Sequence, residues 1–295
     1  MATGRADPTA DHRDGSRAGQ RRRVAAFGAF GVLVSGGVMW SLRESPGIER
    51  RPAPAPSTPR PPAPKPLDVP EGAAVRVPGG AFKMGSDDGE ADEKPVTEVT
   101  VAPFDLDITE VTVGAYAKCV NADKCTAPDT GMYCNWKKPG RDAHPINCID
   151  WEQATAYCAF AGKRLPAEDE WELAARGADG LEHPWKDGPP AAQLCWNGEG
   201  NDQGRGYRSG TCPVASYPSG ASPFGVLDML GNVREWTASA YCPYTSRGCS
   251  NDARVIRGAA WNNGDPAYVR AQDRGKKPPK SRPDNVGARC AKNPS

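Results

Sequence analysis

Residues 97–101, TEVTV, and residues 104–108, FDLDI, read as short strands of mixed apolar and polar side chains. The spacing then changes. Residues 112–120 place Val113, Tyr116, Ala117 and Val120 at helical intervals. Residues 150–161 do the same with Trp151, Ala154, Tyr157 and Cys158, behind Asp150 as N-cap. A third helix spans residues 168–176, with acids in its first turn, Arg176 in its last and Gly177 just beyond. Upstream, residues 73–86 (AAVRVPGGAFKMGS) break at Pro78-Gly79-Gly80, which predicts a hairpin. From Gly177 to Cys290 the pattern gives turns and short strands. Few helices in so many loops predict an irregular, loop-rich α+β domain over residues 73–292.

The first quarter of the chain reads differently. Residues 1–23 are polar, disordered in composition, and end in Arg21-Arg22-Arg23. Residues 24–42 then run without a charge. As a helix they measure about 28 Å, enough to span a bilayer core, with Trp40 near one interface. An uncleaved transmembrane anchor, with the N-terminus in the cytoplasm and the folded part periplasmic or extracellular, is the expectation, and a cleaved signal peptide is the alternative. Residues 43–72 are proline-dense, a stiff linker that reaches roughly 90 Å when extended.

Composition sharpens the picture at one point. The chain has 295 residues and a net charge of +1, which offers no electrostatic footprint for nucleic acid. Thirty-three Gly and 30 Pro agree with a loop-rich body. Tryptophan outnumbers phenylalanine, 8 to 6, so the core leans on indoles whose N–H groups need partners. All 10 cysteines lie between Cys119 and Cys290, none in a CxxC pair, and there are only 3 histidines. These numbers point to disulfides in an oxidising compartment rather than a zinc or redox motif. His144 and His183 each precede a proline and read as loop or packing residues.

The candidate chemistry centres on residues 228–236. Gly231-Asn232 forces a turn, Asp228 and Glu235 put carboxylates on either side of it, and Trp236 supplies an apolar anchor. This stretch belongs to a series of strings in fixed order: VPGGAFKMGS, DITEVTVGAY, HPINCIDWEQATAYCAFAGKRLPAEDEWELAARG, PFGVLDMLGNVREW, VIRGAAW and VGARCA. The series resembles the formylglycine-generating enzyme family, the sulfatase-modifying factors, across residues 73–292. The resemblance implies an irregular α+β fold similar to C-type lectin domains. It also implies a calcium site on Asp228, the carbonyls of Gly231 and Val233, and Glu235, since calcium takes hard oxygen donors. A disulfide between Cys158 and Cys290 is implied as well. A second family bridge would need cysteines at about Ala175 and Ala271.

Catalytically active members of the family bind copper with a cysteine pair downstream of an RGGS-type string. They use it to oxidise a sulfatase cysteine to formylglycine. Here that string is Arg257-Gly258-Ala259-Ala260-Trp261, and residues 259–274 contain no cysteine. Copper is therefore not expected, because its soft thiolate donors are missing. The family's active-site serine falls on Ala260, and the tryptophan of its GNxWEW string falls on Arg234. These departures predict a membrane-anchored, non-catalytic module that binds a protein or peptide in a groove lined by Arg234, Arg257, Ala260 and Trp261. The alternative is an oxidoreductase of this family acting on a protein cysteine. The other eight cysteines allow 105 connectivities, among which the local pairs Cys119–Cys125, Cys134–Cys148, Cys195–Cys212 and Cys242–Cys249 are the expectation.

Overall fold

The helices start where side-chain oxygens are available to cap them. In the computed structural model, which describes residues 65–203, 205–246 and 252–294, Thr112 opens α1 (Val113–Asn121) by accepting from the Ala115 amide at 3.1 Å. Asp150 and Gln153 form a reciprocal capping box at the start of α2 (Trp151–Phe160), so two otherwise bare amides are satisfied. Ala167 has no capping oxygen before α3 (Glu168–Arg176). Glu170 reaches back instead and accepts from the Ala167 amide at 2.8 Å. Gly177, at φ +68°, ends α3 in a conformation that suits a residue without Cβ.

The strands are short, and they pair at long range. β1 (Ala74–Val77) lies antiparallel to β4 (Phe104–Asp107), which in turn pairs with β9 (Ala291–Lys292). β2 (Gly80–Met84) pairs with β3 (Thr97–Val101). The expected hairpin at Pro78-Gly79-Gly80 is thus a crossing between two sheets. A Cβ on Gly79 would sit 2.5 Å from the Val101 carbonyl oxygen, so the backbone passes there only as glycine. The third sheet runs β7 (Arg274–Lys277), β6 (Arg254–Arg257), β5 (Arg234–Ala240), β8 (Val286–Gly287), with β8 parallel to β5.

This arrangement keeps the irregular α+β expectation and corrects the lectin-like part of it. The described strands form three separate sheets of three, two and four strands, and no C-type-lectin topology is seen. Strands of two to seven residues make few ladder bonds, so packing and side-chain pairing must join the sheets. The membrane expectation is corrected too. Among the described residues no helix is long and apolar enough to cross a membrane. Residues 24–42, like the tail before them and most of the linker, lie outside the described residues. The single-pass topology, the membrane contact and the placement drawn from them are not carried forward.

Two apolar clusters fill the body. One gathers Trp171, Trp196, Phe104 and Leu106, and the other Trp236, Tyr116, Ile146 and Cys158. Each fully buried indole has a partner for its N–H, as the energetic cost of an orphan donor requires: Trp171 the Glu235 carboxylate, Trp196 the Ala191 carbonyl and Trp236 the Ile149 carbonyl. Disulfides join Cys119–Cys125, Cys134–Cys148, Cys158–Cys290 and Cys195–Cys212. Cys242 is disulfide-bonded as well. Its expected partner, Cys249, lies outside the described residues.

Candidate functional site

The glycine turn of residues 228–236 is a junction of buried charges. Asp228 (φ +55°), Gly231 (φ +88°) and Asn232 (φ +58°) all take left-handed backbone, so the turn is tight and its groups point in different directions. Glu235 emerges on β5 with no solvent exposure and meets Arg289 in a two-pronged pair, at 2.7 Å and 2.8 Å. Trp171 donates to the same carboxylate at 2.7 Å. Arg289 spends its remaining N–H groups on the carbonyls of Asp107, Ile108 and Leu227. One guanidinium thus ties the turn to the end of β4 and to the start of the turn itself.

Two further carboxylates crowd this guanidinium. Asp228 accepts from the Ala215 amide at 2.6 Å, and burial pushes its carboxyl up to about 6, with the Glu235 charge adding to the rise. Glu110 accepts from Asn232 Nδ2 at 2.6 Å and from the Val233 amide at 3.1 Å. Burial, then the charges of Asp228 and Glu235, raise it well above the ordinary carboxylate range. Three acids around one arginine leave a surplus of negative charge, and the raised carboxyls show that protonation relieves it.

Calcium does not fit these residues, and that expectation is corrected. Both Glu235 oxygens are engaged by Arg289 and Trp171, and Asp228 is turned toward the Ala215 amide. Among the described residues no group of three or more His, Cys, Asp or Glu side chains is arranged to hold a metal ion. The arginine stands where a cation's positive charge would be needed.

The residues expected to line a groove are spread over three environments. Arg257 has no exposed surface. It pairs with Glu172 and Glu168, donates to the carbonyls of Ala271 and Gln272, and stacks over Trp171 at 5.4 Å. Burial works against its charge, but Glu172, Tyr244 and Glu168 outweigh it and keep the group cationic. Arg234 points the other way, into a pair with Asp273. Ala260 is fully buried, its amide bonded to Asn263. Trp261 is buried too, with Tyr133 leaning on its ring at 5.1 Å between centroids. Ala260 and Arg257 therefore present no surface to a ligand.

Asn232 links this turn to a neighbouring cluster. Its amide donates to the Cys195 carbonyl at 2.8 Å, its Oδ1 accepts from the Cys212 amide at 2.9 Å, and its carbonyl accepts from the Trp261 amide at 2.8 Å. Cys195, Cys212, Tyr217 and Trp261 form a small apolar cluster apart from the two larger ones. Arg208 enters it, donating to Cys212 Sγ at 2.7 Å and to the Tyr217 hydroxyl at 3.1 Å while paired with Asp202. His144 lies near the same loop, bonded to Thr211 at 2.9 Å. Burial and then Arg141 lower its imidazole to about 4, so it is neutral at neutral pH. Glu110, Arg289, Asn232 and Arg208 carry the geometry here, although pattern reading passes over all but Asn232, which it takes only as a turn residue. Arg289 sits inside the string VGARCA, where an isolated charge among apolar residues was the available signal, whereas Glu110 in DITEVTVGAY stands among other polar residues.

With this geometry in place, comparison with known proteins is informative. The family model of the Sulfatase-modifying factor enzyme 1-like domain matches residues 60–294. The chain belongs to the sulfatase-modifying-factor family. It is 34% identical over 269 residues to the inactive C-alpha-formylglycine-generating enzyme 2 of Mus musculus, covering 74% of this chain and 85% of that protein. It is also 34% identical over 281 residues to the formylglycine-generating enzyme of Streptomyces coelicolor, covering 74% and 88%. Among solved structures it is similar to PvdO from Pseudomonas aeruginosa, with 29% identity, a TM-score of 0.61, and cover of 75% of this chain and 94% of that one.

The family match corrects the reading of a membrane-held, non-catalytic module. It runs through the whole folded part, residues 60–294, and the family includes formylglycine-generating enzymes. The domain holds 10 cysteines, although none in residues 259–274, and among the described residues none is free.

Proposed function

We propose that this chain is an oxidoreductase of the sulfatase-modifying-factor family whose substrate is a cysteine side chain in a protein or peptide. The observation that carries the reading is the family match over residues 60–294, together with cover of 88% of a formylglycine-generating enzyme. The geometry is consistent with it. Buried ion pairs and disulfides hold the glycine turn, Asn232 and the Trp261 segment in fixed relation, the preorganisation that positioning a reactive side chain demands. Because the described cysteines are all bonded, the reaction is not assigned to copper held by two thiolates of the chain in this oxidised form.

The test is a peptide assay. The full chain is incubated in air with a cysteine peptide of sulfatase type, with and without added Cu(I), and the peptide is followed by mass spectrometry. Chain-dependent conversion of the peptide thiol to an aldehyde supports the reading. A peptide whose thiol survives every condition, while the chain remains folded, refutes it.

A further inference from the structure

Four arginines lie on strands β5, β6 and β7, and all but one of them have carboxylate partners. Arg234 meets Asp273, Arg257 meets Glu172 and Glu168, and Arg274 meets Glu168. Arg254, the first residue of β6, makes no ion pair among the described residues. Its guanidinium lies over the Trp151 ring, 4.3 Å from the centroid, and its Nε is buried without a hydrogen-bond partner. Directly opposite on β7 stands Lys277, a second cation without an ion pair among the described residues. Residues in direct register share a face of the sheet, with Cβ atoms about 5 Å apart, and like charges there repel.

No acid relieves that repulsion. Glu152, beside Trp151 on α2, is paired with Lys280, and Asp252, just before Arg254 in the chain, is exposed and makes no ion pair among the described residues. Residues 247–251, outside the described ones, contain no acid. Lysine on an edge strand discourages another chain from pairing with it. That accounts for Lys277 but not for Arg254, because β6 lies inside the sheet, between β7 and β5. Both side chains are partly exposed, so a dissolved ion meets them directly from solvent.

We infer that Arg254 and Lys277 form a binding site for a doubly charged tetrahedral oxyanion, a phosphate group either free or at the end of an ester. Two positive charges match its two negative ones, whereas a carboxylate would leave one cation unmatched. The guanidinium, steadied by the indole, presents its free N–H groups to the oxygens, and the ammonium adds a point charge. Trp151 is itself fixed, since its N–H donates to the Thr237 carbonyl at 2.8 Å.

This site does not rest on the peptide oxidation proposed above, and its test needs no turnover. The full chain is titrated calorimetrically with inorganic phosphate, methyl phosphate and dimethyl phosphate at constant ionic strength and about pH 8, where a phosphate monoester is doubly charged. One phosphate per chain is expected, with singly charged dimethyl phosphate at least about tenfold weaker. Arg254→Gln and Lys277→Gln should each weaken phosphate by about tenfold, the loss of one charge-assisted hydrogen bond. Methyl phosphate bound as tightly as inorganic phosphate supports an ester end group as the ligand, and an about tenfold preference for inorganic phosphate supports the free ion. Urea unfolding gives a second reading. Without phosphate, Lys277→Gln should be at least as stable as the unsubstituted chain, because it removes a like-charge pair, and with saturating phosphate it should fall behind. No saturable heat, phosphate binding unchanged in either variant, or dimethyl phosphate bound as tightly as phosphate would overturn the assignment. If Arg254→Gln does not fold, Lys277→Gln decides.

Discussion

Asp228→Asn tests the charge surplus at the glycine turn. The Asp228 carboxyl rises from its ordinary 3.8 to about 6 because it is buried beside Glu235. A carboxyl raised on folding binds its proton more tightly in the folded chain. Its contribution is therefore present below about pH 4 and is lost as pH rises through about 6. From 3.8 to about 6, at ~1.4 kcal/mol per pH unit, the ionised carboxylate costs the fold about 3 kcal/mol above that window. Asparagine retains an oxygen for the Ala215 amide, carries no charge, and suits the left-handed backbone of position 228 better. Urea unfolding from pH 4 to 8 should show the variant about as stable as the unsubstituted chain at pH 4. By pH 7 it should be more stable, with about 3 kcal/mol as the ceiling. A variant weaker at pH 7 than at pH 4, relative to the unsubstituted chain, would refute the reasoning and show that the charge itself holds the turn.

Arg289 should be indispensable in one context and replaceable in another. Arg289→Met leaves Glu235 buried without its partner and should cost about 3–5 kcal/mol in urea unfolding, whereas Arg289→Met with Glu235→Leu should recover most of that loss. Replacing Cys158 and Cys290 together by alanine removes a link across a sequence separation of 132 and should lower stability by about 2–5 kcal/mol, read as a fall in the urea midpoint.

Elements with a strong period and a cap were legible from the sequence. α1, α2 and α3 lie within a residue of the spans expected for them, because Thr112, Asp150 and Gly177 fix helix ends locally. The route of the strands was not legible, because Pro78-Gly79-Gly80 looks the same whether it folds a strand back or carries it to another sheet. What decides is the close passage of Gly79 by Val101, far away in sequence. The site was partly legible in the same sense. Asp228 and Glu235 stood out as acids beside a glycine turn, a pattern common to a cation site and to an ion pair. Arg289, 54 residues beyond Glu235, settles it as the pair. The acids at the start of α3 carried a similar ambiguity. They suit the helix dipole, but Glu168 and, farther along the helix, Glu172 are also buried partners of Arg257 and Arg274, which no local pattern announces.

Residues 286–292 enter almost every part of the fold. β8 completes the β5 sheet, Arg289 neutralises Glu235, Cys290 bonds Cys158, and β9 closes the sheet of β4. During translation these residues are made after everything they join. A nascent chain still inside the ribosomal exit tunnel at this point carries Glu235, Glu110 and Asp228 with no arginine to meet them. It also has an open edge on β4 and an unpaired thiol at Cys158. Locking of this domain is therefore held back until residues 286–292 have been made and have emerged, so the cell must shield an unlocked domain from aggregation and mispairing.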